Sequence, residues 1–181
     1  MNGLAFLRNA MRDRGIGAVT RSSRQTVARV ADSLPSSCTN VVEYGPGDGV
    51  VTRALLDRLP ANGRLLTIER NEAFLSELRR ISDPRFVVRA GDVRVDAATL
   101  RTLMPGPIDA VVSSLPFAIF TPEERVAIIR MTRDALRPGG RFIVCQYTPL
   151  ILPLLRAHFT HVRIRTAPWN FPPYLVFVGE K

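Results

Sequence analysis

Lysine is almost missing from this sequence. Among 181 residues there are 25 Lys and Arg, and Lys181 is the only lysine, so 24 of the 25 are arginine. Against 16 acids this leaves a net charge of +9. Cysteine is scarce too: Cys38 and Cys145 form no C-x-x-C pair, which excludes a disulfide framework, a zinc ribbon and a thioredoxin motif. A cytosolic, reducing compartment is the expectation. With two histidines, His158 and His161, and no acids at ligand spacing, no metal requirement is expected. No apolar run reaches the roughly 18 residues that cross a bilayer, and the first residues lack the apolar core of a secretory signal. No repeat or low-complexity tract is visible. What remains is an ordinary globular composition, 46% hydrophobic, rich in a side chain that pairs bidentately with anionic groups.

From residue 40 onward, short β-branched apolar runs alternate with helical periods. The strand candidates are Asn40–Tyr44, Leu65–Glu69, Phe86–Arg89, Ile108–Ser113, Arg141–Tyr147, His161–Arg165 and Tyr174–Val178. Near-continuous apolar strands are buried on both faces. Between them, Val51, Leu55 and Leu59 form one helical stripe, and Phe74, Leu78 and Ile81 another. Thr121-Pro122-Glu123-Glu124 reads as a helix start. That helix is expected to run to about Leu136 and to stop at Pro138-Gly139-Gly140. Alternating strands and helices predict βαβ units and a mostly parallel sheet. The last two strands, joined by the short Ala167–Pro173 segment, predict an antiparallel closing hairpin.

Candidate chemistry gathers at four strand ends. The first strand runs into Gly45-Pro46-Gly47-Asp48-Gly49. Glycines there let the backbone approach a ligand beyond the carboxyl ends of a parallel sheet. Glu69 ends the second strand and can accept both hydroxyls of a ribose; Gly91-Asp92 follows the third, where an aspartate can accept from an adenine amino group. Ser113-Ser114-Leu115-Pro116-Phe117 follows the fourth. The loop is neither G-x-G-x-x-G nor a P-loop. Glu43 just ahead of it disfavours a pyrophosphate and suits a cationic ligand such as S-adenosylmethionine (SAM).

These motifs resemble those of class I SAM-dependent methyltransferases over about residues 40–181, with Arg137-Pro138-Gly139-Gly140 before the fifth strand as a further match. The resemblance implies a Rossmann-like, seven-stranded, mostly parallel sheet with helices on both faces and a reversed final hairpin. It implies a cofactor site built from Glu43, Tyr44, Gly45, Pro46, Gly47, Gly49, Glu69, Arg70, Gly91, Asp92, Val93, Ser113, Ser114 and Leu115. S-adenosylhomocysteine is then the product.

The sequence also resembles small bacterial phospholipid N-methyltransferases, which methylate phosphatidylethanolamine. Ile16–Arg24, Val112–Pro116, Gln146-Tyr147 and Asn170-Phe171-Pro172-Pro173 carry that resemblance. It implies a lipid amine as substrate, with Tyr147 orienting it inside a wall of Phe117, Phe120 and Trp169, and His158 as a weaker base candidate. Ornithine lipids are methylated by similar proteins. An RNA adenine methyltransferase is the competing reading, since Ser114-Leu115-Pro116-Phe117 is similar to the Asn-Leu-Pro-Tyr motif of ribosomal RNA adenine dimethylases. The serine in place of that asparagine and the lack of an RNA-binding domain weigh against it, so no nucleic acid partner is expected.

Residues 1–35 are expected to form a helical arm ahead of a methyltransferase domain at 36–181. Leu4, Leu7 and Met11 fall on one side of a helical wheel, and Arg8 and Arg12 on the other. Such a basic amphipathic helix suits an anionic membrane surface. The expected location is therefore the cytoplasmic face of the cell membrane, held peripherally, with the arm lying over the cofactor mouth. The next helix, with Val27, Val30, Ala31 and Leu34, is assigned to core packing.

Overall fold

A computed structural model describes residues 23–167 and 173–181. Seven strands form one sheet: β1 (Asn40–Tyr44), β2 (Arg64–Glu69), β3 (Phe86–Ala90), β4 (Ile108–Ser113), β5 (Leu136–Gln146), β6 (His161–Ala167) and β7 (Tyr174–Glu180). Their order is β3-β2-β1-β4-β5-β7-β6. The first five run parallel, and β7 lies antiparallel to both β5 and β6. This is the expected seven-stranded sheet with a reversed last hairpin. The order turns back between β1 and β4, and that switch point opens a crevice at their carboxyl ends.

Alternation along the central strands sends side chains to two apolar layers. Val42, Tyr44, Val111, Phe142 and Val144 face one layer. It is closed by α4 (Val93–Asp96), α5 (Leu100–Leu103), α6 (Pro122–Ala135) and α7 (Leu152–His158). Val41, Leu65, Val112, Ile143 and Val176 face the other, closed by α1 (Arg24–Ala31) and α2 (Val50–Arg58). A further helix, α3 (Glu72–Leu78), joins β2 to β3 and buries Phe74, Leu75 and Leu78. The α6 start is a full capping box: Thr121 Oγ1 accepts from Glu124 N–H, and Glu124 Oε2 accepts from Thr121 N–H.

Packing continues back through α1, whose Thr26, Val27, Val30 and Ala31 are buried. The arm residues Leu4, Leu7, Arg8, Met11 and Arg12 lie outside the described residues. So do Trp169 and the Asn170–Pro172 part of the final motif.

One expectation at α6 needs correcting. The helix ends at Ala135, and β5 begins at once with Leu136 in extended conformation. Pro138-Gly139-Gly140 therefore lies inside a strand rather than in a stop loop. The sheet absorbs it by a register irregularity opposite Ile108 and Ala110, with Gly139 at φ 71°. At this lower end Asp109 is nearly buried. Its carboxylate accepts from Thr39 N–H and Asn40 N–H and pairs with Arg137 Nε at 2.5 Å, tying β1 to β4.

Candidate active site

Two hydrogen bonds to β2 hold the glycine loop. Gly45 N–H donates to Ile68 C=O at 3.0 Å, continuing the β1–β2 ladder. Gly47 N–H donates to Glu69 Oε2 at 3.2 Å. Gly45, Gly47 and Gly49 all have positive φ (63°, 57° and 75°), a region that other residues rarely enter. The two outer glycines are also crowded: a Cβ on Gly45 would come within 2.7 Å of the Leu115 side chain, and one on Gly49 within 3.1 Å of Leu78. A Cβ on Gly47 would meet nothing within 4 Å, so the middle of the loop faces open space.

Glu69 ends β2 and is 7% exposed. Its other oxygen accepts from Arg70 and Asn71 N–H, both at 2.9 Å. Burial pushes this carboxyl above its ordinary value, and the three backbone donors pull it back. The side chain thus fixes the loop and the start of the β2–α3 turn together. The adjoining Arg70 side chain is exposed.

Glu43 is fully buried on the α2 side of β1. Its Oε2 accepts from Thr52 Oγ1 at 2.7 Å, and its Oε1 has no hydrogen-bond partner. Its register neighbour on β2, Thr67, has an equally buried and unpartnered hydroxyl. Burial pushes the Glu43 carboxyl up to about 8, outweighing the Thr52 hydrogen bond. Burial thus favours the neutral acid over the anion expected beside the glycines, because desolvation works against the charge.

At the end of β3, Asp92 caps α4 by accepting from Arg94 N–H, and it pairs with the Arg94 guanidinium at 2.6 Å. The hydrogen bond from Arg94 is the main reason its carboxyl sits below the ordinary range. Gly91 packs against Asp96, so a side chain there would collide with that carboxylate. Val93 is buried in the layer under α4. After β4, Ser113 is buried and its Oγ accepts from Leu115 N–H, while Ser114 N–H donates to Tyr44 C=O. Pro46 is buried within the loop.

Beside the loop, a cavity of about 140 Å³ opens between the ends of β4 and β5. Ser114, Leu115, Phe117, Gln146, Tyr147 and Tyr174 are among its walls. The Tyr147 and Tyr174 rings stack at 4.1 Å, and the Tyr147 hydroxyl is buried without a partner.

Four expected site residues land differently. Tyr44 points its ring into the opposite layer and shares a hydrogen bond with Thr132 at 3.1 Å, so only its backbone reaches the crevice. Phe117 borders the cavity but is itself fully buried, in edge-to-face contact with Phe120 and Phe142. Phe120 belongs to the core rather than to the cavity wall. His158 closes α7 just before β6 begins, at the far end of the sheet from the cavity. Tyr174 takes up part of the wall expected of the phenylalanines. Antiparallel pairing of β5 with β7 places it across from Tyr147, a signal already present in the two strand ends.

A glycine loop facing open space, an orphaned carboxyl oxygen beneath it and a carboxylate at the next strand end suit a ligand with several polar groups and no phosphate. The comparisons agree. Residues 41–140 match the methyltransferase domain family model. An ornithine lipid N-methyltransferase of Singulisphaera acidiphila is 32% identical over 136 residues, covering 74% of this chain and 71% of that one. A ribosomal RNA small subunit methyltransferase A of Cupriavidus metallidurans is 40% identical over 154 residues, 74% of this chain, which spans about half (51%) of that relative. The N-methyltransferase NodS of Bradyrhizobium japonicum shares the fold with a TM-score of 0.70 at 15% identity, over 87% of this chain and 94% of that one. With its glycine loop, strand-end acids and reversed hairpin, the chain belongs to the class I SAM-dependent methyltransferases.

Proposed function

We propose that the methyl acceptor is the primary amine of a membrane lipid: phosphatidylethanolamine, methylated towards phosphatidylcholine, or the amine of an ornithine lipid. The observation that carries this reading is the cavity beside the loop, walled by the stacked Tyr147 and Tyr174 and lined by no carboxylate or imidazole among the described residues. The ornithine lipid relative supports the lipid class.

Bound SAM supplies an electrophilic methyl on a sulfonium. The chain's own residues receive and aim the amine. A free ammonium has a pKa near that of lysine, about 10.4, and cannot attack. Entering an apolar cavity disfavours its charged form, so the proton leaves to water on the way in. For the primary and the monomethylated amine, the buried Tyr147 hydroxyl oxygen then accepts one amine N–H and aims the lone pair. The ring faces of Tyr147 and Tyr174 favour positive charge, so they tolerate each added methyl. Beyond that, rate comes from proximity. Ser114, a small rotatable hydroxyl, suits a tetrahedral amine better than a planar one.

The rival reading, an RNA adenine methyltransferase, is favoured by the ribosomal RNA methyltransferase relatives. Labelled SAM separates the two. The protein is incubated with vesicles carrying phosphatidylethanolamine, with vesicles carrying ornithine lipid, and with ribosomal RNA. Label is expected in one of the lipids. Tyr147→Phe, which loses one orienting hydrogen bond of about 1.4 kcal/mol, should turn over about tenfold more slowly with unchanged SAM affinity. Label confined to the RNA refutes the lipid reading.

A further inference from the structure

Large apolar side chains exposed on a soluble face are ordinary when scattered. Here three of them gather at one rim. Among the described residues five stand out: Val87, Val95, Ile119, Leu150 and Ile164. Val87 and Ile164 sit on the two edge strands. The other three follow β3, β4 and β5 in turn, at the carboxyl rim of the sheet, where the cofactor loop and the tyrosine cavity open.

Val95 is 72% exposed on α4. Ile119 is 46% exposed at the end of a single 3₁₀ turn, Phe117–Ile119, and Leu150 is 39% exposed in another, Pro149–Ile151. The two turns pack against each other. Their neighbours Ala118 and Thr148 line the cavity, so Ile119 and Leu150 flank its mouth. The turn under Ile119 is held firmly: Arg125 donates from Nε to Phe117 C=O at 2.8 Å and from Nη2 to Ala118 C=O at 3.2 Å. Arg94 spans from Asp92 to Glu124, at the first turn of α6, and so ties the Val95 helix to the same rim. A tethered loop that presents an apolar side chain to water suits a surface that inserts.

We infer that this rim, through Ile119 and Leu150 with Val95 beside them, is a membrane-docking face that seats the cavity mouth on an anionic bilayer. The inference rests on the lipid-amine reading and adds a contact independent of residues 1–22. Charge names the occupant. Residues 23–181 carry 21 Lys and Arg against 15 acids. While Arg94 is taken up by Asp92 and Glu124, Arg53, on the Asp48 and Gly49 carbonyls of the loop, and Arg70 are exposed at the same rim. A substrate amine at the headgroup level would then reach the cavity without its chains leaving the bilayer. Shallow insertion of two or three apolar side chains is the depth an interfacial element uses.

The test labels the rim itself. Leu150→Cys in the full chain is tagged with a polarity-sensitive dye. Cys38 and Cys145 compete poorly, because both are buried and burial pushes their thiols up to about 12. The emission should shift to the blue on vesicles containing anionic phospholipid and stay unshifted on zwitterionic ones. The double variant Ile119→Ser, Leu150→Ser should keep its melting temperature and SAM affinity. Its turnover on vesicle-embedded lipid should drop about tenfold, with turnover on the same lipid in monomeric short-chain form within twofold of the parent. Protein that sediments with vesicles while the dye does not shift overturns the rim proposal, and so does a double variant with parental vesicle turnover. Failure of the lipid-amine reading is seen separately, as no label on the monomeric lipid.

Discussion

Glu69→Ala is expected to weaken SAM binding on the order of a hundredfold or more, measured by calorimetry on the purified protein. Two losses combine. The carboxylate at the end of β2 is the residue expected to accept the ribose hydroxyls, and a hydrogen bond to a charged group contributes about 1.5–3 kcal/mol. The same carboxylate also holds Gly47 N–H and the Arg70 and Asn71 amides. Without it, the glycine loop pays an ordering cost when the ligand arrives. Glu69→Gln keeps one acceptor oxygen and should fall between the alanine variant and the parent. Asp92→Ala should cost less, because Asp92 is already engaged by Arg94 and sits at a more exposed rim. Parental SAM affinity in both alanine variants would remove the cofactor assignment from these two strand ends.

The second large effect is on stability against pH. The Glu43 carboxyl has an ordinary value of 4.5 in the unfolded chain and is pushed up to about 8 in the fold by burial. The folded state therefore holds a proton through an interval in which the unfolded chain has released it. The stability this contributes is fully present below about 4.5 and is lost as pH rises to about 8, with a slope of up to about 1.4 kcal/mol per pH unit. Glu43→Gln keeps the shape and the acceptor for Thr52 without the titration. The variant minus parent difference in unfolding free energy should grow between pH 5 and 8, to an order of 3–5 kcal/mol, and then level off. Taking the difference cancels the other titrating groups. Urea denaturation at five pH values measures it. A flat difference would mean that water reaches Glu43 and keeps it ionised.

Much of the fold was legible because the central strands declare themselves. Asn40–Tyr44 and Ile108–Ser113 are short runs with β-branched apolar centres, and the structure begins and ends them at the same residues. The start of β5 was not legible. Pro and Gly read as breakers, and here they sit in a strand that slips register to fit them. The four-residue helices α4 and α5 are too short to carry a period. Within the site, the positions of Gly45, Glu69, Asp92 and Ser114 follow from strand ends alone. Side-chain direction does not. Tyr44 alternates away from Glu43 into the other layer, and Phe120 turns into the core. The upward push on the Glu43 carboxyl depends on what α2 covers, and no local pattern in the chain encodes that.

The switch point also governs how the chain reaches its final form. The seam between β1 and β4 joins segments far apart in sequence; Thr39 and Asp109, which clasp across it, are 70 positions apart. Closing so long a loop costs entropy before any contact repays it, which makes such seams slow to form. The crevice expected to take SAM lies on that seam, so it does not exist until β1 and β4 have met. A ligand that needs the finished seam cannot speed the approach to it. It can hold the seam shut afterwards, so the cofactor acts as a brake on unfolding rather than a guide to folding.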